Sequence, residues 1–148
     1  MALRRSISVR RALVEEDGFS LVELLVVLII LGLLAAIAIA AFTGQQNKAH
    51  DADAKTAART AEIAMETYFV DHRSYSGANA AELQDVQPAL RDAPNLVVND
   101  ATSNSFEVQT SSTSTKPVTF TVARSANGTT ARTCAPANTG GCKAGGVW

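Results

Sequence analysis

The strongest pattern in the chain is an apolar stretch of nineteen residues, Leu24–Phe42, that contains no charged side chain. An α-helix rises about 1.5 Å per residue, so this stretch would be roughly 28 Å long and could cross the hydrocarbon core of a bilayer. Glu23 stands at its entrance. A carboxylate is costly in lipid, so Glu23 is predicted to need a partner; the alternative is a tolerated carboxylate at the membrane interface.

From Gly44 the helical pattern continues in a more polar form. Apolar residues recur at steps of three and four and define one face of an amphipathic helix: Ala54, Ala57, Ala58, Ala61, Ala64, Met65, Tyr68 and Phe69. Charged residues occupy largely the other positions: Lys48, Asp51, Lys55, Arg59, Glu62 and Glu66. Tyr75-Ser76-Gly77 is a stop signal, so we expect one helix of roughly fifty residues that ends near Asp71–Ser74.

The remainder of the chain predicts a short helix followed by strands. Asn79 with Glu82 three positions later is typical of a helix start, and Pro88 is expected to end that helix. Segments rich in Val, Thr and Phe predict strands at Leu96–Asn99, Ser105–Thr110, Val118–Arg124 and Thr129–Cys134. Polar turns separate them at Asp100–Asn104, Ser111–Lys116 and Asn127-Gly128.

The predicted fold class is therefore α+β, with a long N-terminal helix packed on a small antiparallel sheet of three or four strands. The sheet is expected to cover the Ala61–Phe69 side of the helix. Five sheet residues are expected in the core: Phe106, Val108, Val118, Phe120 and Val122.

Length and charge limit the function. The 148 residues provide the apolar segment and one small domain of about a hundred residues. The net charge of −1 argues against a general basic surface for nucleic acid. Arg4, Arg5, Arg10 and Arg11 precede the apolar segment, which predicts a cytoplasmic N-terminus and an outward-facing remainder after Phe42.

Two ordinary explanations compete for the N-terminus. A secretory signal has an apolar core of about 7–15 residues, and Ala38-Ile39-Ala40 would serve as its cleavage site, but this stretch is longer and is preceded by Glu23. A solitary membrane anchor is the other explanation. Neither accounts for the polar junction Gly18-Phe19-Ser20 directly before the apolar stretch.

The sequence Gly18-Phe19-Ser20-Leu21-Val22-Glu23-Leu24-Leu25 closely resembles the N-terminal signature of type IV pilins and pseudopilins, and the resemblance extends to Phe42. It implies that a prepilin peptidase cuts between Gly18 and Phe19, removes residues 1–18 as a leader and N-methylates Phe19. It also implies a membrane and filament-core helix at 19–42, an amphipathic continuation at 43–75 and a head at 76–148.

Cleavage would create an amine at Phe19 that can pair with Glu23. Within one helix the two groups are four residues apart and near enough to interact, whereas in the family the favoured pairing is with the amine of a neighbouring subunit. A buried carboxylate and a buried ammonium are tolerable together but costly apart. Two features depart from the family pattern. The proline that many members have near the position of Ala40 is missing, which leaves Gly32 as a weak point of the helix, and residues 15–17 are acidic.

Cys134 and Cys142 are the only cysteines, and both lie in the part predicted to face outward. An oxidising compartment favours a disulfide, which would contribute roughly 2–3 kcal/mol by closing a short loop; two free thiols are the alternative. A C-terminal loop closed by a disulfide is also a feature of many type IV pilins, usually with a longer loop.

No catalytic residue, cofactor or metal site is expected. His50 and His72 are too few and too far apart for a metal, and Ser111–Ser114 has no base partner. Asp51 and Asp53 are interpreted as solvated charge rather than a calcium loop. Asn127-Gly128-Thr129 matches a glycosylation sequon, but a hairpin turn is favoured.

The sequence therefore predicts a structural subunit that polymerises into an extracellular pilus filament. A pseudopilin of a type II secretion or DNA-uptake machine is the alternative, and a membrane-anchored binding module or enzyme that never polymerises is a third. The expected partners are the prepilin peptidase and methyltransferase, copies of the chain itself, the pilus assembly machinery and, before assembly, the inner membrane.

Overall fold

The structure is a computed structural model that describes residues 18–148. The four arginines, the acidic residues 15–17 and nearly all of the predicted leader lie outside the described residues. The chain divides into two compact units, the first ending at Ala38 and the second comprising Ile39–Trp148. Each unit is described by itself.

Helix α1 covers Leu21–His72, 52 residues, which confirms the prediction of one helix of roughly fifty residues. Ser20 caps its N-terminus, because the Glu23 N–H donates to both the Ser20 hydroxyl (3.2 Å) and the Ser20 carbonyl oxygen (3.1 Å). The helix ends where Arg73 adopts a positive φ of 58°, a common way to terminate a helix, and Gly77 (φ 92°) completes the turn that follows.

A short helix and a 3₁₀ helix connect α1 to the sheet. Helix α2, Ala80–Val86, starts as predicted at Asn79, whose side-chain oxygen accepts hydrogen bonds from the Ala81 and Glu82 N–H groups. It stops before Pro88, also as predicted. Pro88 then begins a 3₁₀ helix, Pro88–Asp92, that the sequence analysis did not anticipate, although proline is favoured at the first position of a helix.

The sheet has four antiparallel strands in the sequential order β1-β2-β3-β4. They are β1 (Val97–Ala101), β2 (Phe106–Ser111), β3 (Thr119–Arg124) and β4 (Thr130–Ala135). All four were predicted, with ends that differ by at most two residues. The turn predicted at Asp100–Asn104 is shorter, because β1 extends through Asp100 to pair with β2 beyond a register shift between Val98 and Asp100.

The core lies between the second half of α1 and one face of this sheet. The five sheet residues predicted to be buried are all buried, and on β2 and β3 buried and half-buried positions alternate. From α1 the same core receives Ala54, Ala58, Ala61, Ala64, Met65 and Tyr68. Alanines at these positions let the helix backbone approach the sheet closely. The α+β fold class predicted from the sequence is confirmed.

Candidate functional site

The predicted processing junction lies immediately outside helix α1. Gly18, Phe19 and Ser20 precede the first helical residue, and the Phe19 side chain is 78% exposed. Because Ser20 forms the cap, the Gly18–Phe19 peptide bond is not part of the hydrogen-bonded helix. A protease that binds an extended backbone therefore has access to this bond without unwinding α1.

Gly18 has no packing role within the described chain. A Cβ built on it meets no atom within 4 Å, and its φ is not in the left-handed region. An alanine would fit this position equally well as far as the fold is concerned. The presence of glycine here is therefore not explained by the folded chain itself.

The apolar half of α1 exposes its side chains on every side. All large apolar side chains from Leu21 to Phe42 are exposed, the least accessible of them, Val27, at 45%. A window of 18 residues within α1 has a mean hydropathy of 3.2 and none of it is buried, so this helix is long and apolar enough to cross a membrane. An apolar surface of this extent is typical of a segment that lipid or other protein chains cover.

Glu23 is the one charged residue of this surface. It is the third residue of α1, where the positive end of the helix dipole favours a carboxylate. It is exposed, and the part of the chain that the structure describes provides no cation within ion-pair distance. The carboxylate is therefore available to a cation from outside residues 18–148.

The prediction that Asp51 is a solvated charge is wrong, because this residue is only 4% exposed. Its Oδ2 atom accepts a hydrogen bond from the Gly141 N–H at 2.7 Å. Its Oδ1 atom is buried without a partner among the described residues. The sequence could not show this burial, because the loop that covers Asp51 is 90 residues further along the chain. Asp53, by contrast, is exposed.

The loop on Asp51 is the one that the cysteines enclose. Cys134 and Cys142 form a disulfide with a Cα–Cα distance of 5.6 Å. Gly140 has a positive φ of 50°, and a Cβ on it would collide with the Asp51 carboxylate. The disulfide and the hydrogen bond from Gly141 to Asp51 therefore both hold this loop.

Two ion pairs that the sequence analysis missed join α1 to the sheet. Arg124 donates to Glu66 at 3.1 Å, and Arg132 donates to Glu62 at 2.7 and 3.0 Å. Tyr75 also donates its hydroxyl to Glu66 at 3.0 Å. Burial raises the pKa of Tyr75 to about 12, and the hydrogen bond to Glu66 contributes in the same direction. The available signal for these ion pairs in the sequence was that Glu62 and Glu66 lie one helical turn apart.

The histidines and the serine-rich segment have structural partners. His50 Nδ1 lies 3.0 Å from the Thr113 hydroxyl, and His72 Nδ1 lies 3.0 Å from the Tyr68 carbonyl oxygen. Ser112 and Ser114 are buried and hydrogen-bonded to each other in the loop between β2 and β3. Among residues 18–148 no group of three His, Cys, Asp or Glu side chains could hold a metal ion.

Asn127-Gly128-Thr129 forms the turn between β3 and β4. Gly128 has a φ of 87°, and the Asn127 side-chain oxygen accepts hydrogen bonds from the Thr129 N–H and hydroxyl. These bonds account for the three residues as a hairpin turn, the interpretation that the sequence favoured.

Comparison with known families identifies the junction. The family model described as the prokaryotic N-terminal methylation motif matches residues 16–39. This motif marks type IV pilin-like prepilins and pseudopilins, and it is the substrate site of the prepilin peptidase. Searches of curated proteins and of solved structures found no match. The match covers the junction and most of the apolar segment, and it does not extend into the head.

Proposed function

We propose that this chain is a structural subunit, a type IV pilin that polymerises through its N-terminal helix into an extracellular filament. The observation that carries the proposal is the exposed apolar surface between Leu21 and Phe42, most of which lies within the matched methylation motif at residues 16–39. A membrane can cover this surface before assembly, and the same helices from other copies can cover it afterwards. The role needs no cofactor and no enzymatic activity.

The proposed processing step is cleavage between Gly18 and Phe19, which removes residues 1–18, followed by N-methylation of Phe19. The exposed position of this bond, outside the capped helix, supports the step. Glycine at the cut serves the peptidase rather than the fold, since a Cβ on Gly18 meets nothing in the folded chain. The cap on Ser20 remains after cleavage, so the mature helix begins at the same residue.

The proposed assembly contact is an ion pair between Glu23 and the new amine of Phe19 in a neighbouring copy. Glu23 has no cationic partner within residues 18–148, and cleavage supplies one. Burial of either charge alone in a bundle of apolar helices would be strongly unfavourable. A copy that enters the filament would therefore be stable only at the axial position where the ion pair between Glu23 and the Phe19 amine can form.

The proposed function also assigns a role to each remaining segment of the chain. Residues 19–42 form the membrane anchor and later the filament core, 43–75 continue the helix, and 76–148 form the head with the Cys134–Cys142 loop. The apolar helix and the motif fit a membrane-anchored precursor. Its N-terminus is proposed to lie in the cytoplasm, from the arginines that precede the apolar segment in the sequence. Incorporation into a filament on the cell surface is the proposed final location.

The methylation motif supports a pseudopilin of a type II secretion or DNA-uptake machine as the second candidate, because it marks both groups. A membrane-anchored module that does not polymerise is the third. It requires neither the motif nor a carboxylate at the entrance of the apolar segment.

The test combines mass spectrometry of the mature chain with isolation of fibres sheared from the cells that produce it. A mature N-terminus at a methylated Phe19, together with fibres built of this chain, is the expected result. An N-terminus at Met1 or after Ala40 would contradict the proposed processing. A methylated Phe19 with no long fibres, in cells whose secretion or DNA uptake fails when the gene is deleted, would favour the pseudopilin.

A further inference from the structure

One flank of helix α1 borders a groove of about 610 Å³ whose lining includes two carboxylates and no cationic side chain. The groove lies between α1 and the 3₁₀ helix, with Asp53, Thr56 and Thr60 on one side and Asp92 on the other. Both carboxylates are exposed, and neither forms an ion pair within residues 18–148. We call these four residues the acidic groove.

The other flank of α1 carries three cations, Lys48, Lys55 and Arg59, which we call the basic ridge. The Lys55 ammonium lies 5.3 Å from the centroid of the Phe120 ring, and the Arg59 guanidinium lies 5.5 Å from that of Trp148. These aromatic contacts hold two of the cations in place. None of the three forms an ion pair in the part of the chain that the structure describes.

The carboxylates near the basic ridge do not neutralise it. Glu62 and Glu66 are paired with Arg132 and Arg124 from the sheet. Asp51 lies beside Lys48 and Lys55 and accepts the Gly141 N–H, and its single negative charge offsets at most one of the three cations. The ridge therefore keeps a net positive charge, just as the acidic groove keeps its negative charge.

The two charged surfaces face different directions. Successive residues of an α-helix are about 100° apart, which places Asp53 and Thr60 roughly 140° around the helix from Lys55 and Arg59. The buried face that contains Ala54 and Ala61 turns toward the sheet. One copy can therefore offer its acidic groove to one neighbour and its basic ridge to another.

We propose that the acidic groove of one copy receives the basic ridge of a second copy. A contact between two different surfaces of identical chains is heterologous, and repetition of such a contact builds an open helical array. The inference rests on the proposed function and deepens it, because it assigns a contact between heads in addition to the contact between apolar helices. A nucleic acid would use the ridge alone and would leave the acidic groove without a role.

The test reverses the charges in the full-length chain, in the cells that assemble it. The groove variant is Asp53→Lys with Asp92→Lys, and the ridge variant is Lys48→Glu with Lys55→Glu. Each alone should lower the yield of sheared fibre about tenfold or more, since like charges then face each other. Co-expression of the two should restore the yield, because each variant supplies the surface that the other one fits.

The matched control is Asp71→Lys with Asp100→Lys, which changes the net charge as much as the groove variant does. Both residues are exposed and lie outside the groove lining, so the yield should equal that of the unaltered chain. Carbodiimide coupling of fibres that contain equal amounts of ¹⁴N- and ¹⁵N-labelled chains should join Asp53 or Asp92 to Lys48 or Lys55 in mixed-label pairs.

The outcomes separate this inference from the proposed function. Unchanged fibre yield from either reversed variant, or no recovery on co-expression, overturns the inference and leaves the filament proposal standing. An unaltered chain that is processed but forms no fibre or higher-order species overturns both. If the ridge variant loses retention on immobilised heparin while its fibre yield is unchanged, the ridge serves a polyanion and the inference is overturned.

Discussion

Asp51 and Gly140 show how single residues position the C-terminal loop. The Asp51 carboxylate accepts the Gly141 N–H at 2.7 Å, and Gly140 lies against the same carboxylate with a φ of 50°. A glycine is required at position 140 for two reasons, the left-handed backbone and the lack of space for a Cβ. The two residues therefore depend on each other.

We expect Gly140→Ala to lower the free energy of unfolding by about 1–3 kcal/mol, because the alanine would be strained in this conformation and would also displace Asp51. The matched control is Gly145→Ala, where a Cβ meets only Val147 at 3.9 Å. The free energy of unfolding of both variants is measured by urea unfolding of the full chain in detergent, monitored by the fluorescence of the single tryptophan.

A double variant separates the two causes of the Gly140 effect. Asp51→Ala removes the collision but not the backbone strain, so the effects of Gly140→Ala and Asp51→Ala should be less than additive. Strictly additive effects would contradict the contact between the carboxylate and the loop.

Tyr75 should make the stability of the head depend on pH in the alkaline range. Its side chain is 2% exposed, and burial raises its pKa from 10.0 to about 12. Between these two values the unfolded chain loses the phenol proton while the folded chain keeps it. Stability contributed by Tyr75 is therefore fully present below pH 10 and falls as the pH rises toward 12, by about 2–3 kcal/mol in total.

The variant Tyr75→Phe lacks this titration and should show a flatter loss of stability between pH 10 and 12. At neutral pH it should cost only about 1 kcal/mol, because Glu66 keeps its bond to Arg124. Urea midpoints at a series of pH values provide the comparison. Parallel pH profiles of the two proteins would show that Tyr75 does not carry the effect.

At the scale of elements, the alanines of α1 determine how closely the helix lies on the sheet. Ala61 is fully buried on the side of α1 that packs against the sheet, whereas Ala49 on the same helix is exposed. We expect Ala61→Leu to cost about 1–3 kcal/mol through overpacking, and Ala49→Leu to change stability by less than about 0.5 kcal/mol. Equal urea midpoints for the two variants would mean that the core can accommodate the larger side chain.

The elements could be predicted from the sequence because each has a local signal. The three-and-four spacing of Ala54 to Tyr68 indicates the packed face of α1, and Asn79 and Pro88 delimit α2. The 3₁₀ helix was missed because proline signals both an end and a beginning. The burial of Asp51 depends on a contact with Gly141 that no local pattern records.

One part of the candidate site could likewise be predicted from local sequence, and another part could not. The junction could be predicted because Gly18, Phe19, Ser20 and Glu23 are adjacent in the sequence. The acidic groove could not, because Asp92 comes to the same groove as Asp53 only through the packing of the 3₁₀ helix beside α1. The links from Glu62 and Glu66 to the sheet are likewise long-range, 70 and 58 residues in sequence.

At the scale of the whole molecule, the two units differ in how their apolar side chains are covered. The second unit buries its apolar residues within itself, in one core between helix and sheet. In the described part of the first unit, residues 18–38, the large apolar side chains are all exposed, and under the proposed function lipid or other copies cover them. Changes at the entrance of the apolar segment should therefore affect assembly and leave the fold of the head unchanged.

Glu23→Ala tests this division. The variant should still be cleaved and methylated at Phe19, because the Gly18–Phe19 bond and the cap on Ser20 are retained, and its head should unfold at the unaltered urea concentration. Fibre yield should fall more than about a hundredfold, since an unpaired ammonium buried in the helix bundle costs about 3–5 kcal/mol. The control Ser20→Ala weakens the same end of the helix by about 1 kcal/mol but keeps the carboxylate. If both variants lower the fibre yield equally, helix stability and not the charge of Glu23 governs assembly.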